Sequence, residues 1–207
     1  MISNIKAPDS KVVRDAEELV RTVSSDMLFN HVMRCYWFSE LFAQKHGIKV
    51  DGELMFLSSV LHDLGLTPHA PGPHRFEIEG AGAARKFLVD NGVSLDRAQK
   101  VWDNIALHTW DINLFRDDTS RMMELGVLYD VIGVPDAGLD ATDVAEVVRR
   151  YPRLKFKAGF NEALERELDA KQPYPHFFHI CSTIAQNRTP LVMPTALDVL
   201  NMAPFDE

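Results

Sequence analysis

Apolar residues recur every three to four positions along most of the chain, the spacing that lines one face of an α-helix. Over 15–46 they are Leu19, Val20, Val23, Met27, Leu28, Val32, Cys35 and Tyr36, then the stretch from Phe38 to Phe42, with Gly47 as a stop. Ser24, Ser25 and Asp26 interrupt that run and predict the cap of a second helix beginning near Met27. Asp51 predicts the N-cap of a further helix that ends at Gly65. The segment 66–74 holds three prolines and one glycine and reads as a loop.

The helical pattern returns over 77–91 and again from the cap Ser94 through Ala98, Val101, Ile105 and Leu107 to His108. Met122 to Ile132 is apolar and ends at Gly133 and Pro135, and Asp140 or Thr142 opens the next helix, which stops at Tyr151-Pro152. Phe156, Phe160, Leu164 and Leu168 are spaced by four along an amphipathic segment over 156–170. Gln172-Pro-Tyr-Pro breaks the pattern, which resumes over 176–186. No stretch alternates with period two between hairpin turns. The chain therefore reads as one all-α domain over 1–207, built from roughly eight helices.

Composition adds little to the fold but narrows the partners. At 207 residues, 46% hydrophobic and 25% charged, the chain is an ordinary globular one. A net charge of −8 disfavours any role that neutralises a nucleic-acid backbone, although one metal ion can invert the charge locally. The two cysteines, Cys35 and Cys181, are too few for a disulfide framework and read as small reduced core residues. The opening MISNIKAPDS lacks the apolar core of a signal peptide, and no run approaches the roughly 18 apolar residues of a membrane span. The expectation is a cytoplasmic protein with a small-molecule substrate and neither nucleic-acid nor membrane partners; a homo-oligomer is compatible with it.

Candidate chemistry sits at His31, at His62-Asp63 before the proline-rich loop, and at Asp130. Asp130 lies among Val127, Leu128, Tyr129, Val131 and Ile132, where an unpaired carboxylate would cost several kcal/mol. Its burial calls for a cation or a metal. Two imidazoles and two carboxylates would make a mixed nitrogen and oxygen shell, suited to Zn, Fe, Mn, Co or Ni better than to Mg or Ca.

The order His31, His62-Asp63, Asp130 resembles the HD superfamily of metal-dependent hydrolases. The segments Asn30-His31-x-x-Arg34-x-Tyr36, Leu61-His62-Asp63-Leu64-Gly65-Leu66-Thr67, Arg75-Phe76-Glu77-Ile78-Glu79-Gly80-Ala81 and Asp130-Val131-x-Gly133 are similar to the branch containing cyanamide hydratases. The resemblance covers about residues 25–190, including Lys157-x-x-Phe160 and Asn187-x-x-Pro190. It implies a helical bundle in which His31, His62, Asp63 and Asp130 bind one divalent transition metal. It also implies that Glu77 is the catalytic glutamate, exchanging a proton with a metal-bound water. Glu79 is its rival; the two positions point about 200° apart on a helix, so only one faces the metal. Asn30, Arg34, Thr67, His74 and His108 are candidates for substrate contacts or for orienting the ligands. His74 and His108 also fall where binuclear relatives draw extra ligands, and His69, His176 and His179 read as loop, packing or surface residues.

The chain has no phosphate-binding glycine loop, no zinc-finger cysteine pairs and no nucleophile elbow. Gly80-Ala81-Gly82 reads as a site of close helix packing. Three functions fit these residues: a metal-dependent hydratase or hydrolase of a small neutral substrate such as a nitrile, a phosphohydrolase of a nucleotide or phosphomonoester, and a non-catalytic metal-binding module. Phosphate oxygens need Lys or Arg; the loop after His62-Asp63 offers only Arg75, and no lysine lies between 50 and 85. That favours the small substrate.

Overall fold

The computed structural model describes residues 5–134, 137–171, 180, 181, 183 and 184. Those residues are all helical or irregular, with no strand among them, so the fold is all-α. The chain divides into two compact units, Met1–Gly159 and Phe160–Glu207. His31, His62, Asp63, Glu77, His108 and Asp130 all belong to the first.

Helix α1 spans Lys11–Val23 and α2 spans Asp26–His46. The serines between them break the chain as expected: the Ser25 hydroxyl accepts from Leu28 N at 3.3 Å, and Gly47, at φ 63°, closes α2 in the left-handed conformation. Helix α2 is buried around most of its circumference from Leu28 to Ala43, which makes it the central element rather than an amphipathic cover. Around it lie α3 (Gly52–Leu61), α6 (Asp118–Ile132) and α7 (Ala141–Arg150); α4 (Phe76–Asp90) pairs with α5 (Leu95–Leu107), and α8 runs Phe156–Ala170. Asp51, Ser94, Asp117 and Asp140 accept from backbone amides at the starts of α3, α5, α6 and α7. No described helix is long and apolar enough to cross a membrane.

Three boundaries differ from the periodicity. Helix α3 ends at Leu61, not Gly65, because Leu66 N donates to Asp63 O at 3.0 Å and Thr67 N to Leu64 O at 3.0 Å, tightening Leu64–Leu66 into a 3₁₀ turn. Helix α6 begins at Asp118 rather than Met122, since Asp117 caps it. A second 3₁₀ turn, Asp111–Phe115, lies in the interval between the expected helices that end at His108 and begin at Met122. Of the helix expected over 176–186, the described residues Ile180, Cys181, Thr183 and Ile184 are helical; His176, His179, Asn187 and Pro190 lie outside the described residues.

Two close approaches position the site. A Cβ on Gly65 would stand 1.8 Å from Phe76 O, and one on Gly80 would stand 2.8 Å from Gly65 N. The start of α4 therefore rests directly on the turn that follows His62-Asp63, and this bears out the packing role expected of Gly80. On the opposite side, a Cβ on Gly126 would meet Ser39 Oγ at 2.2 Å and Cys35 O at 2.4 Å, so α6 lies against the middle of α2. One turn further along α6 is Asp130.

Candidate metal centre

His31, on the inner face of α2, is fully buried, as are His62 and Asp63 where α3 passes into its terminal turn. His108 stands at the C-terminal end of α5 and is 5% exposed. Around Asp63 the three imidazoles converge. His62 Nε2 lies 3.3 Å and His31 Nε2 3.4 Å from Asp63 Oδ2, and His108 Nε2 lies 3.7 Å from Oδ1. The rings meet edge to face, with centroids 5.2 Å apart for His31 and His62 and 4.8 Å apart for His62 and His108.

The tautomers follow from what lies behind each ring. His62 Nδ1 donates to Ser59 O at 2.7 Å and His108 Nδ1 donates to Ile105 O at 2.6 Å; a carbonyl only accepts, so both protons sit on Nδ1. Burial pushes the His62 pKa down to about 3, and His62 is therefore neutral with a lone pair on Nε2. Burial alone would raise Asp63, but the imidazoles of His62, His31 and His108 outweigh it and hold the carboxyl down at about 2. The Asp63 carboxylate thus faces the Nε2 lone pair of His62 at 3.3 Å, while His31, its pKa raised, presents a charged ring at 3.4 Å. Neither of its oxygens is exposed, and neither accepts a hydrogen bond of ordinary geometry from a described residue. With both oxygens buried, this carboxylate calls for positive charge among these atoms, which the His31 ring or a bound cation supplies. The donor atoms of His62, Asp63 and His108 lie close enough together to hold one metal ion, and so do those of His31, Cys35 and His62.

Asp130 is placed differently from the sequence expectation. It is buried beside His31, but its oxygens are turned to other donors. Oδ2 accepts from His31 Nδ1 at 2.7 Å and Arg34 Nη2 at 2.8 Å; Oδ1 accepts from Arg34 Nε at 2.7 Å and Arg153 Nη1 at 2.8 Å. A carboxylate has about four acceptor positions, and all four are taken. Expected as a ligand, Asp130 instead stands behind His31 and directs Nε2 of that ring toward Asp63, the usual arrangement of a carboxylate supporting a metal-binding histidine. Burial alone would raise its pKa, but the His31 and Arg34 contacts more than offset this and lower it well below the carboxylate range. Burial opposes charge on His31 itself, but Cys35, Asp130 and Asp63 outweigh that and raise its pKa well above the ordinary value.

The expected accessory residues separate. Arg34 is fully buried and clamps Asp130 while donating to the carbonyls of Tyr151 and Pro152 at 3.0 and 3.2 Å. Asn30 donates to Pro152 O at 2.9 Å, so it braces the same segment. The Thr67 hydroxyl donates to Leu64 O at 2.6 Å and accepts from His69 N at 3.3 Å, which makes it part of the 3₁₀ turn. His74 is exposed and contacts Glu79 Oε1 at 2.8 Å through Nδ1. His108, which the sequence left between several roles, joins His62 and Asp63.

The register of α4 buries Glu77 and turns Glu79 outward. Glu77 is fully buried, and its Oε1 accepts from the hydroxyl of Thr109, the residue after His108, and from Arg75 Nη2 at 2.5 Å. Glu79 turns to the outer side, where it accepts from His74 N at 2.8 Å. Phe76 packs its ring edge to face with His108, centroids 5.7 Å apart, and Phe156 stacks on His31 at 4.6 Å.

Two neighbours escaped the sequence reading. Cys35 Sγ lies 3.6 Å from His31 Nδ1; the spacing of four on one helix was the available signal. Arg153, which grips both the Asp130 side chain and its carbonyl, left no pattern to find. No protein-family model matches the chain, and no curated protein matches it.

Proposed function

We propose that this protein is a metal-dependent hydratase or hydrolase that adds water to the electrophilic centre of a small neutral molecule, a nitrile such as cyanamide being the first candidate. The observation that carries the reading is the convergence of His31, His62 and His108 on a buried, anionic Asp63, with donor atoms close enough together to hold an ion. These four residues would hold one divalent transition metal, with nitrogen donors favouring Zn, Fe, Mn, Co or Ni. Such an ion lowers the pKa of a water and polarises an electrophile.

The chain's own residues supply the rest. Asp130, clamped by Arg34, holds the His31 ring in one tautomer and orientation. Glu77 accepts a proton from the attacking water and returns it to the product; Thr109 and Arg75 fix its Oε1 so that the carboxylate does not rotate between the two steps. Phe76 and Phe156 cover the imidazoles and keep bulk water out. Arg34 is taken up by Asp130, and Arg75 donates through Nη2 to Glu77 and Thr109, leaving its Nε as the one buried arginine nitrogen without an acceptor among the described residues, which supports a neutral substrate over a phosphate ester.

The test is a panel of cyanamide, simple nitriles and deoxynucleotide monophosphates assayed with each metal at matched loading. Cyanamide or nitrile hydration is expected to exceed phosphate release. Glu77→Gln should retain metal and fold while turnover falls about 10²–10⁴-fold. Dominant phosphate release with no nitrile hydration would make the protein a phosphohydrolase instead.

A further inference from the structure

On the side of α6 facing α7, away from the imidazoles, the structure contains an open groove of about 480 Å³. That is within the usual range for small-molecule sites, roughly 300–1,000 Å³. Phe38, Tyr129, Val144 and Val148 supply apolar lining, and Asp130 and Arg153 supply the charged part. His31, His62, Asp63, His108 and Glu77 do not line it. The groove thus lies behind the metal centre, sharing only Asp130 with it, and its chemistry does not depend on the hydratase reading.

Arg153 is the informative residue. Its Nη1 donates to Asp130 O at 3.1 Å and to Oδ1 at 2.8 Å, and its Nη2 donates to Asp130 O at 3.1 Å. A guanidinium carries five N–H groups, so these bonds use the end of the fork and leave its side edge, formed by Nε and the second Nη2 hydrogen. No described residue accepts from that edge. The side chain is 34% exposed, while the Asp130 carboxylate behind it is fully buried. A side edge of this kind matches a carboxylate bidentately, two parallel charge-assisted bonds. Phe156 lies 4.8 Å under the guanidinium and holds its plane.

We propose that this groove binds a monocarboxylate with a short apolar body, the carboxylate on the side edge of Arg153 and the body against Val144, Val148, Phe38 and Tyr129. A single charge is favoured because Asp130 already neutralises one of the two arginines on it, leaving one net positive charge between Arg34, Asp130 and Arg153.

Hexanoate is a suitable probe, with hexanamide as the uncharged control and acetate as the control without an apolar body. Calorimetric titration of the purified protein should give one saturable site for hexanoate, at least about tenfold tighter than for either control. In the unaltered protein, hexanoate should shift one arginine Nε–Hε resonance, the one missing from the spectrum of Arg153→Lys. Val148→Trp, which fills the groove but leaves the Arg153–Asp130 pair in place, should abolish binding, and Arg153→Met should weaken it about tenfold or more. Equal binding of hexanamide, an unmoved arginine spectrum at saturating hexanoate, or unchanged binding by Val148→Trp would each overturn the proposal.

Discussion

Asp63 and Asp130 are both 2% exposed and both approach His31, yet they occupy opposite kinds of surroundings. Asp130 is saturated: two arginines and an imidazole deliver four hydrogen bonds to its two oxygens. Asp63 has imidazole nitrogens for neighbours at 3.3 to 3.7 Å, and His62 turns a lone pair toward it. Burial therefore does not distinguish a structural carboxylate from a ligand. The atoms facing it do, since a carboxylate held by four short N–H bonds is already compensated, whereas one ringed by longer imidazole contacts keeps room for a cation.

The sharpest way to break this contrast is to remove Asp63. Asp63→Ala, like His62→Ala, should reduce bound metal from about one equivalent to near none by elemental analysis, with helical circular dichroism retained, because an ion that loses one of its few ligands is weakly held. Full metal occupancy in either variant would abolish the distinction.

Asp130→Asn should act on the fold first. Losing the charge strands Arg34, which is fully buried, and a cost of about 3–5 kcal/mol in denaturant unfolding is expected. Metal affinity should weaken about 10–100-fold without being lost, through a misdirected His31. Complete metal loss at unchanged stability would return Asp130 to the ligand set.

A third buried acid extends the comparison. Glu124 is 1% exposed, and burial pushes its pKa up to about 8 against a hydrogen bond from Asn113 Nδ2 at 3.1 Å. The folded protein then keeps a proton that the unfolded chain releases near 4.5. Stability should be full below pH 4.5, fall as pH rises toward 8 and level off above it. Glu124→Gln should flatten that slope, with a gain on the order of 2 kcal/mol at pH 8 in denaturant melts and little change at pH 4.5. Parallel pH profiles for the two proteins would show that Glu124 is charged in the fold.

The smallest effect is expected at the contact that seats the Asp63 turn. A Cβ at Gly80 would lie 2.8 Å from Gly65 N, so Gly80→Ala should cost about 1–2 kcal/mol and loosen metal binding while leaving the Asp130 clamp intact. A thermal midpoint equal to wild type would show that α4 yields there without consequence.

What the sequence determined by itself was the helical architecture and its punctuation. Ser25, Asp51, Ser94 and Asp140 cap helices within two or three residues of themselves, so these boundaries are local chemistry written in adjacent letters. The same holds for the opposed directions of Glu77 and Glu79, which follow from helix geometry once α4 exists. Only the tertiary structure decided which of the two turns inward, because that depends on Thr109 arriving from the end of α5, 32 residues away. It alone put His108 beside Asp63 and moved Asp130 behind His31, through Arg34 at a separation of 96 residues and Arg153 from the segment after α7. An aspartate in an apolar helix announces that it needs a partner. Whether that partner is a guanidinium or a metal is settled only when distant helices pack and present their donors.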